Sequence, residues 1–457
     1  MSTLQPKLFW RIAGYIVWVV LLILAVYFFR ERTLFVDIAY QTCLMIQSGT
    51  FAWQVDRYGA ALVQALPLLA IKCNLPLFMV LMAYSVSFIF VYLFIYILLV
   101  ERLGQLKLAW VLVALFTMAS ANGFYWTTSE LQQGLAFLLL FFGWWLQLQH
   151  RGIWEFGIAG LCIISLVYYH PLIIFPFIFL WIFFLFDNSL PRNQSATYYI
   201  LLVLVVVAIL KSIFHGNWYD NQKYATFFAN LVRYFPDYSV LKSNQKFIFQ
   251  YLPQFFWLPI ILFITAGSYV LRKQFLKCIL MLSFTAGYIM LLNISSPNQT
   301  YKVYAEVNYM PIAIFICVPF IWDVLPNIRF SKIAFYLGVL IIAQRLFDIA
   351  QTHQTYTQRL SFLQHSLNVN HVPKQILQPS QQQLNTLIFD WGVPYETLLL
   401  SSLQHRDSAK TILVCTDCSA FINYLDKPNF FLSNFKIINT DTMQTKYFNL
   451  PKAVYKR

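Results

Sequence analysis

Up to residue 347 the chain alternates long apolar runs with short polar breaks, and this rhythm is its strongest signal. The runs fall at 12–30, 77–100, 108–122, 130–148, 156–169, 171–187, 198–214, 255–271, 278–293, 308–325 and 333–347. An uncharged apolar run of roughly twenty residues has the length of a bilayer-crossing helix, and lipid leaves no other open structure with a satisfied backbone. The expectation is an all-α polytopic membrane protein with about 11 transmembrane helices. The segment 156–187 is too long for one crossing and carries Tyr169-His170-Pro171 at its middle. A proline beside a polar residue predicts two short spans joined by a tight turn.

Basic residues orient these spans. Lys7 and Arg11 precede the first, and Arg102 and Lys107 separate the second and third. Arg151, Arg192, Arg272, Lys273, Lys277, Arg329 and Lys332 follow in alternate loops, provided that 156–187 crosses twice. Lys and Arg concentrate on the cytoplasmic side, so the N-terminus is expected inside and the C-terminus outside. The three longest polar segments, 31–76, 215–254 and 348–457, then share the outer face. The chain divides accordingly into a membrane domain at 1–347 and an extracytoplasmic domain at 348–457.

The segment 31–76 reads differently from the other loops. Ile38, Ala39, Leu44, Met45 and Ile46 lie on one face of a helix that starts near Asp37 and stops at Gly49. An amphipathic helix at the end of a span rests in the headgroup layer, which would hold Asp37 at the membrane surface. A second polar turn with Arg57 and Tyr58 follows. The segment 215–254 mixes aromatics with Lys and Arg, as a helical lid or an ordinary interfacial loop would. In the tail, 355–369 is patterned as an amphipathic helix. The segments 385–391, 411–418 and 434–439 read as short strands, with a helix over 393–405, which together suggest a small α/β domain.

Composition agrees with the pattern. Of 457 residues, 59% are hydrophobic and 11% charged, a balance that cannot cover a soluble surface. The 44 Phe, 28 Tyr and 13 Trp suit aromatic belts at both interfaces. A net charge of +14 invites a nucleic-acid reading, but the basic residues sit in short loops and serve as topology signals, so no nucleic acid partner is expected. The basic residues before a long first run, with no small-residue cleavage site, predict an uncleaved first span. Five of the seven cysteines lie in or near spans, where they act as small apolar residues. Cys415 and Cys418 form a C-x-x-C that fits a redox pair, a disulfide or half a zinc site. Asn193, Asn293 and Asn298 open glycosylation sequons, of which Asn193 is expected on the cytoplasmic side.

Charged groups at span ends carry the candidate chemistry: Asp37, Glu130, His170, and Lys302 with Glu306. Each has a plainer reading. Glu130 and Glu306 open spans, where a carboxylate favours the helix N-terminus; His170 precedes a proline; Asp37 suits a helix cap. Taken together, Asp37 past the first span, an amphipathic outer segment ending at Gly49, Arg57-Tyr58, and the span count and orientation resemble GT-C type membrane glycosyltransferases. The nearest branch is that of protein mannosyltransferases and aminoarabinose transferases. The likeness implies transfer of a sugar from a polyprenyl-phosphate-linked donor to an acceptor protein or lipid on the extracytoplasmic face. It assigns Asp37 as general base, Arg57 and Lys302 with Tyr301 or Tyr304 as ligands of the donor phosphate, and Tyr58, Glu130, His170 and Glu306 to the sugar cavity. A phosphate leaving group needs no proton, so one base and nearby cations suffice. No metal is required on this reading; a divalent ion held by Asp37, Glu130 and Glu306, with Asp56, is the alternative that the oligosaccharyltransferase branch implies. The expected location is the inner membrane of a bacterium, with the site facing the periplasm and membrane lipids around it.

Two other classes compete. A transporter or flippase of lipid-linked saccharide would show internal repeats, glycine-broken helices and mid-span acids. Here the 15 Gly are few, and the acids stand at span ends. A non-catalytic subunit of an envelope complex would use the tail to hold a partner.

Overall fold

The computed structural model describes residues 4–148, 152–187, 194–214, 216–298, 302–327, 331–369, 372–405 and 408–456. The chain opens with α1 (Leu4–Tyr27), turns through α2 (Phe29–Thr33), and continues as α3 (Val36–Ser48) and α4 (Ala61–Lys72). The apolar body follows as α5 (Leu77–Ile97), α6 (Leu106–Thr117), α7 (Glu130–Gln147), α8 (Ile153–Tyr169), α9 (Ile174–Phe186) and α10 (Gln194–Phe214). Next come α11 (Trp218–Arg233), the short α12 (Lys242–Lys246) and α13 (Leu252–Gln254), then α14 (Trp257–Leu271) and α15 (Phe275–Ser295). The membrane part closes with α16 (Lys302–Tyr309), α17 (Pro311–Pro319) and α18 (Ser331–Gln351).

Helices occupy all eleven apolar runs. Among the described residues, four stretches are long and apolar enough to cross a bilayer: Leu8–Tyr27, Leu77–Arg102, Phe275–Ser295 and Val303–Asn327. The pair Lys242–Gln254 and Trp257–Leu271, bent by 91°, would make a fifth if it counts as one broken span. Shorter apolar helices, such as Leu106–Thr117 and Ile153–Tyr169, fill the body between them. Large side chains such as Phe263, Leu271, Leu276 and Ile279 are exposed on the outside, as lipid contact demands and water forbids. This is an all-α membrane protein.

Local sequence explains the breaks. Gly49 ends α3 in the left-handed conformation at φ 66°, and its N–H returns to the Met45 carbonyl at 2.9 Å. His170 is extended between α8 and α9, and Pro171 opens a short 3₁₀ turn before α9. The segment 31–76 holds a second long helix. Residues 61–72 form α4 and lie along α5, despite Pro67 inside the helix.

The tail builds α19 (His353–Val369), β1 (Lys374–Leu377), α20 (Gln381–Leu387), α21 (Val393–Gln404), β2 (Thr411–Val414), β3 (Phe430–Phe431) and β4 (Ile438–Asn439). β1 pairs in parallel with β2, Lys374 opposite Thr411 and Leu377 opposite Val414, and β3 pairs antiparallel with β4. The strand expected over 385–391 is not one. Ser380 and Gln383 form a capping box, Ser380 Oγ accepting from Gln383 N and Gln383 Oε1 from Ser380 N, so α20 starts there and runs to Leu387. Helix initiation wins over the β-prone sequence that follows it. The strand that partners β2 is instead 374–377. Cys415 and Cys418, at the end of β2, form a disulfide. Asn293 is buried at 1% exposure and donates to Asn244 at 2.6 Å, so this sequon is inaccessible; Asn193 lies outside the described residues. One continuous hydrophobic core runs from the apolar helices into α19 and α21, with Phe35 and Ile38 from the segment 31–76 in the same cluster as Phe389, Tyr395 and Leu398.

Candidate active site

Between α3 and α4 the chain makes a turn in which Val55 and Asp56 take φ of 45° and 57°. Such conformations are costly for residues with side chains and persist only where neighbours hold them. Asn217, the N-cap of α11, supplies one hold by donating to the Val55 carbonyl at 3.1 Å. Gly59 supplies another, because a Cβ there would stand 2.0 Å from the Tyr169 ring of α8. Arg57 projects from this turn. Its Nη2 meets Asp220 Oδ1 at 3.0 Å, and its Nη1 lies 3.8 Å from Glu130 Oε2. The guanidinium sits over the Tyr219 ring at 5.5 Å. Its Nε is buried with no hydrogen-bond partner among the described residues.

Arg57 opens onto a cavity of about 670 Å³. α11 forms one wall with Tyr219, Asp220, Lys223, Tyr224, Phe227 and Phe228, which share one helical face at i, i+4, i+8 spacing. His170 and Phe175, with Leu291 and Leu292 of α15, form another. Tyr304 and Trp391 complete the lining, so the tail contributes directly. His170 Nδ1 accepts from Leu172 N at 3.2 Å. Burial, then the nearby Arg57 and Lys211 cations, push its pKa well below the ordinary value and keep the ring neutral. The cavity thus joins two cations, Arg57 and Lys223, with Asp220 beside them, to an apolar hollow. That combination suits an amphiphile with an anionic head.

Asp37 sits in the first turn of α3, half-buried, and is not itself among the residues that line this cavity. Its carboxylate accepts a hydrogen bond from Tyr304, one of the lining residues. Burial and the Glu130 charge raise its pKa to about 7, against a small opposing effect of the Tyr304 hydroxyl. The plainer reading of Asp37 as a helix cap is not realised: the N-cap is Phe35, which makes no side-chain cap bond. A carboxylate that gains and loses a proton near neutrality is poised for general base chemistry.

The remaining sequence-derived candidates separate. Glu130 opens α7, whose N-cap Ser129 accepts from Gln132 N at 3.3 Å, and faces both Arg57 and Asp37. Glu306 does not join the cavity. It is 1% exposed and accepts from Ala121 N, Asn122 N, Gly123 N, Asn122 Nδ2 and Gln254 Nε2 at 2.5–3.1 Å. Three backbone donors with no other acceptor at hand fix this carboxylate as a loop brace. Tyr58 is also outside: it is 43% exposed and packs on Trp53 and Tyr168. Tyr301 and the Lys302 side chain lie outside the described residues. Among those residues, no group of three or more His, Cys, Asp or Glu is arranged to hold a metal.

Sequence reasoning missed Tyr219, Asp220, Lys223 and Trp391. The signal for the first three was present in 218–233, where aromatic and charged residues recur at helical spacing. Nothing in the sequence marked Trp391. A second cavity of about 930 Å³ is lined by Asn122, Gln254, Asp348, Tyr356, Asn385 and Asp390. Val303 and Asp390 face it, whereas their neighbours Tyr304 and Trp391 face the first.

Compared with known protein families, curated proteins and solved structures, the chain matches none.

Proposed function

We propose that this protein is a polytopic membrane glycosyltransferase that moves a sugar from a polyprenyl-phosphate-linked donor to an acceptor on the extracytoplasmic face. The reading takes the eleven apolar helices as spans, with the N-terminus inside and the C-terminus outside, in a bacterial inner membrane. One observation carries it: a half-buried carboxylate, Asp37, accepts a hydrogen bond from Tyr304, and Tyr304 lines a cavity that pairs Arg57 with an apolar hollow.

The chemistry follows from those groups. The donor's phosphate lies at Arg57 and Lys223, and its prenyl chain runs along Phe227, Phe228, Leu291 and Leu292. Asp37 takes the proton of the acceptor group as its oxygen or nitrogen attacks the anomeric carbon. The bond from that carbon to the phosphate oxygen breaks, and the phosphate leaves with one more negative charge. The unpartnered Nε–H of Arg57 is a donor placed to meet that charge. Tyr304 keeps the carboxylate ionised and aimed. Glu130 and Asp220 hold the guanidinium in place.

The test is a strain lacking the protein, with envelope glycans and lipids compared by mass spectrometry. Wild type restores a sugar-bearing species and Asp37→Asn does not, although it inserts normally. A fully active Asp37→Asn protein removes the assignment.

A further inference from the structure

α3 begins without a cap of its own. The first backbone N–H groups of a helix need acceptors, and Phe35 offers its carbonyl to Ile38 N at 3.0 Å but no side-chain acceptor to the N–H groups before it. Val36 moreover holds a φ of 38°, which a β-branched residue adopts only under constraint. The acceptor comes from 360 residues further on: Val36 N donates to Glu396 Oε1 at 2.7 Å. Glu396 is 0% exposed and pairs in bidentate fashion with Arg359, itself 1% exposed. Arg359 also donates to the carbonyls of Leu387 at 2.6 Å and Phe389 at 3.0 Å, and lies over the Phe35 ring at 5.1 Å.

These contacts end on the site already described. Val36 precedes Asp37. Phe389 packs edge-on to Tyr304 at 5.1 Å, and Tyr304 is the donor to Asp37. Trp391 lines the cavity, and the adjoining Gly392 comes so close to α3 that a Cβ there would lie 2.5 Å from Val36 Cα. A buried ion pair is a poor source of stability compared with apolar side chains of the same size, so its value lies in fixing one arrangement. We infer that Glu396 is a positioning residue for Asp37: it caps the helix bearing that carboxylate and registers it against the tail segment that supports Tyr304. The C-terminal module is therefore part of the site. The inference takes its meaning from the transferase reading, but its test does not depend on it.

The test reads the Asp37 proton directly. Groups facing Asp37 are Glu130 of α7, Tyr84 of α5, Tyr219 of α11, Tyr304 of α16 and Tyr40 of its own helix, while Arg359 and Glu396 neutralise one another. Full-length protein in lipid nanodiscs is treated with dicyclohexylcarbodiimide, which modifies protonated carboxyl groups, and the Asp37 peptide is quantified against pH. Wild type labels with a midpoint near 7. Two variants are compared. Arg359→Met with Glu396→Leu removes the cap without stranding a charge, and Gly392→Ala leaves both charges in the chain but presses on Val36 and on Glu396 Oε1, 2.8 Å from the added Cβ. A midpoint displaced by about half a unit or more in either folded variant, downward as water reaches a loosened carboxylate or upward as the Tyr304 hydrogen bond is lost, supports positioning. A midpoint unmoved in both, with melting curves that show them folded, overturns it. Labelling needs no substrate, so that failure is distinct from an Asp37→Asn protein that still transfers sugar.

Discussion

Replacing Asp37 by Asn should trade activity for stability, and the trade has a definite pH dependence. The folded protein holds the Asp37 proton up to about pH 7, against an ordinary value of 3.8. The folded state therefore binds more protons than the unfolded chain between those limits. The stabilisation from keeping the proton is complete below about pH 4 and is lost as pH rises through 7. Three units correspond to about 4 kcal/mol at roughly 1.4 kcal/mol per unit. Asp37 is partly exposed, so water relieves some of this, and about 2 kcal/mol remains. Asn carries no charge at any pH and escapes the penalty. At pH 8 the variant should melt higher than wild type by roughly 2–4 °C, and at pH 5, about one unit above the ordinary value, by roughly half of that or less. Intrinsic tryptophan fluorescence in detergent can follow the melts, since the chain has 13 Trp. Transfer should be abolished at both pH values. Equal melting differences at pH 5 and pH 8 would refute the argument, because they would show that Asp37 ionises as an ordinary carboxylate.

The other predictions concern its neighbours. Tyr304→Phe removes a hydrogen bond to the charged form of Asp37, so the midpoint of carbodiimide labelling should rise by about 0.5–1 unit; a fall would mean that the hydroxyl does not serve the carboxylate. Arg57→Lys keeps the charge but not the fork that meets Asp220 and Glu130, and should raise the KM for a polyprenyl-phosphate sugar by about 10–100-fold. An unchanged KM would take Arg57 out of donor binding. Glu306→Gln turns an amide donor toward backbone N–H groups at 121–123 and should cost about 2–4 kcal/mol, seen as a lower melting midpoint with Asp37 labelling unmoved. Arg359→Met alone leaves Glu396 buried without its cation and should cost about 3–5 kcal/mol, most of it recovered when Glu396→Leu is added. A double variant as unstable as the single one would contradict that account.

Much of the architecture was legible from the chain alone, because it depends on local properties. Apolar length places the helices, Gly49 stops α3, and Tyr169-His170-Pro171 divides α8 from α9. The cavity face of α11 is a periodic pattern that a reader of 218–233 can see. The sequence could not separate Asp37 from Glu306, since both are carboxylates beside the ends of apolar runs. Their fates differ through contacts made across the chain. Glu306 meets three backbone N–H groups from a loop about 180 residues earlier and becomes structural, whereas the cap that α3 needs arrives from Glu396, which leaves Asp37 to Tyr304. A helix follows from the spacing of its own residues; the proton affinity of a side chain follows from whichever distant groups the fold brings against it.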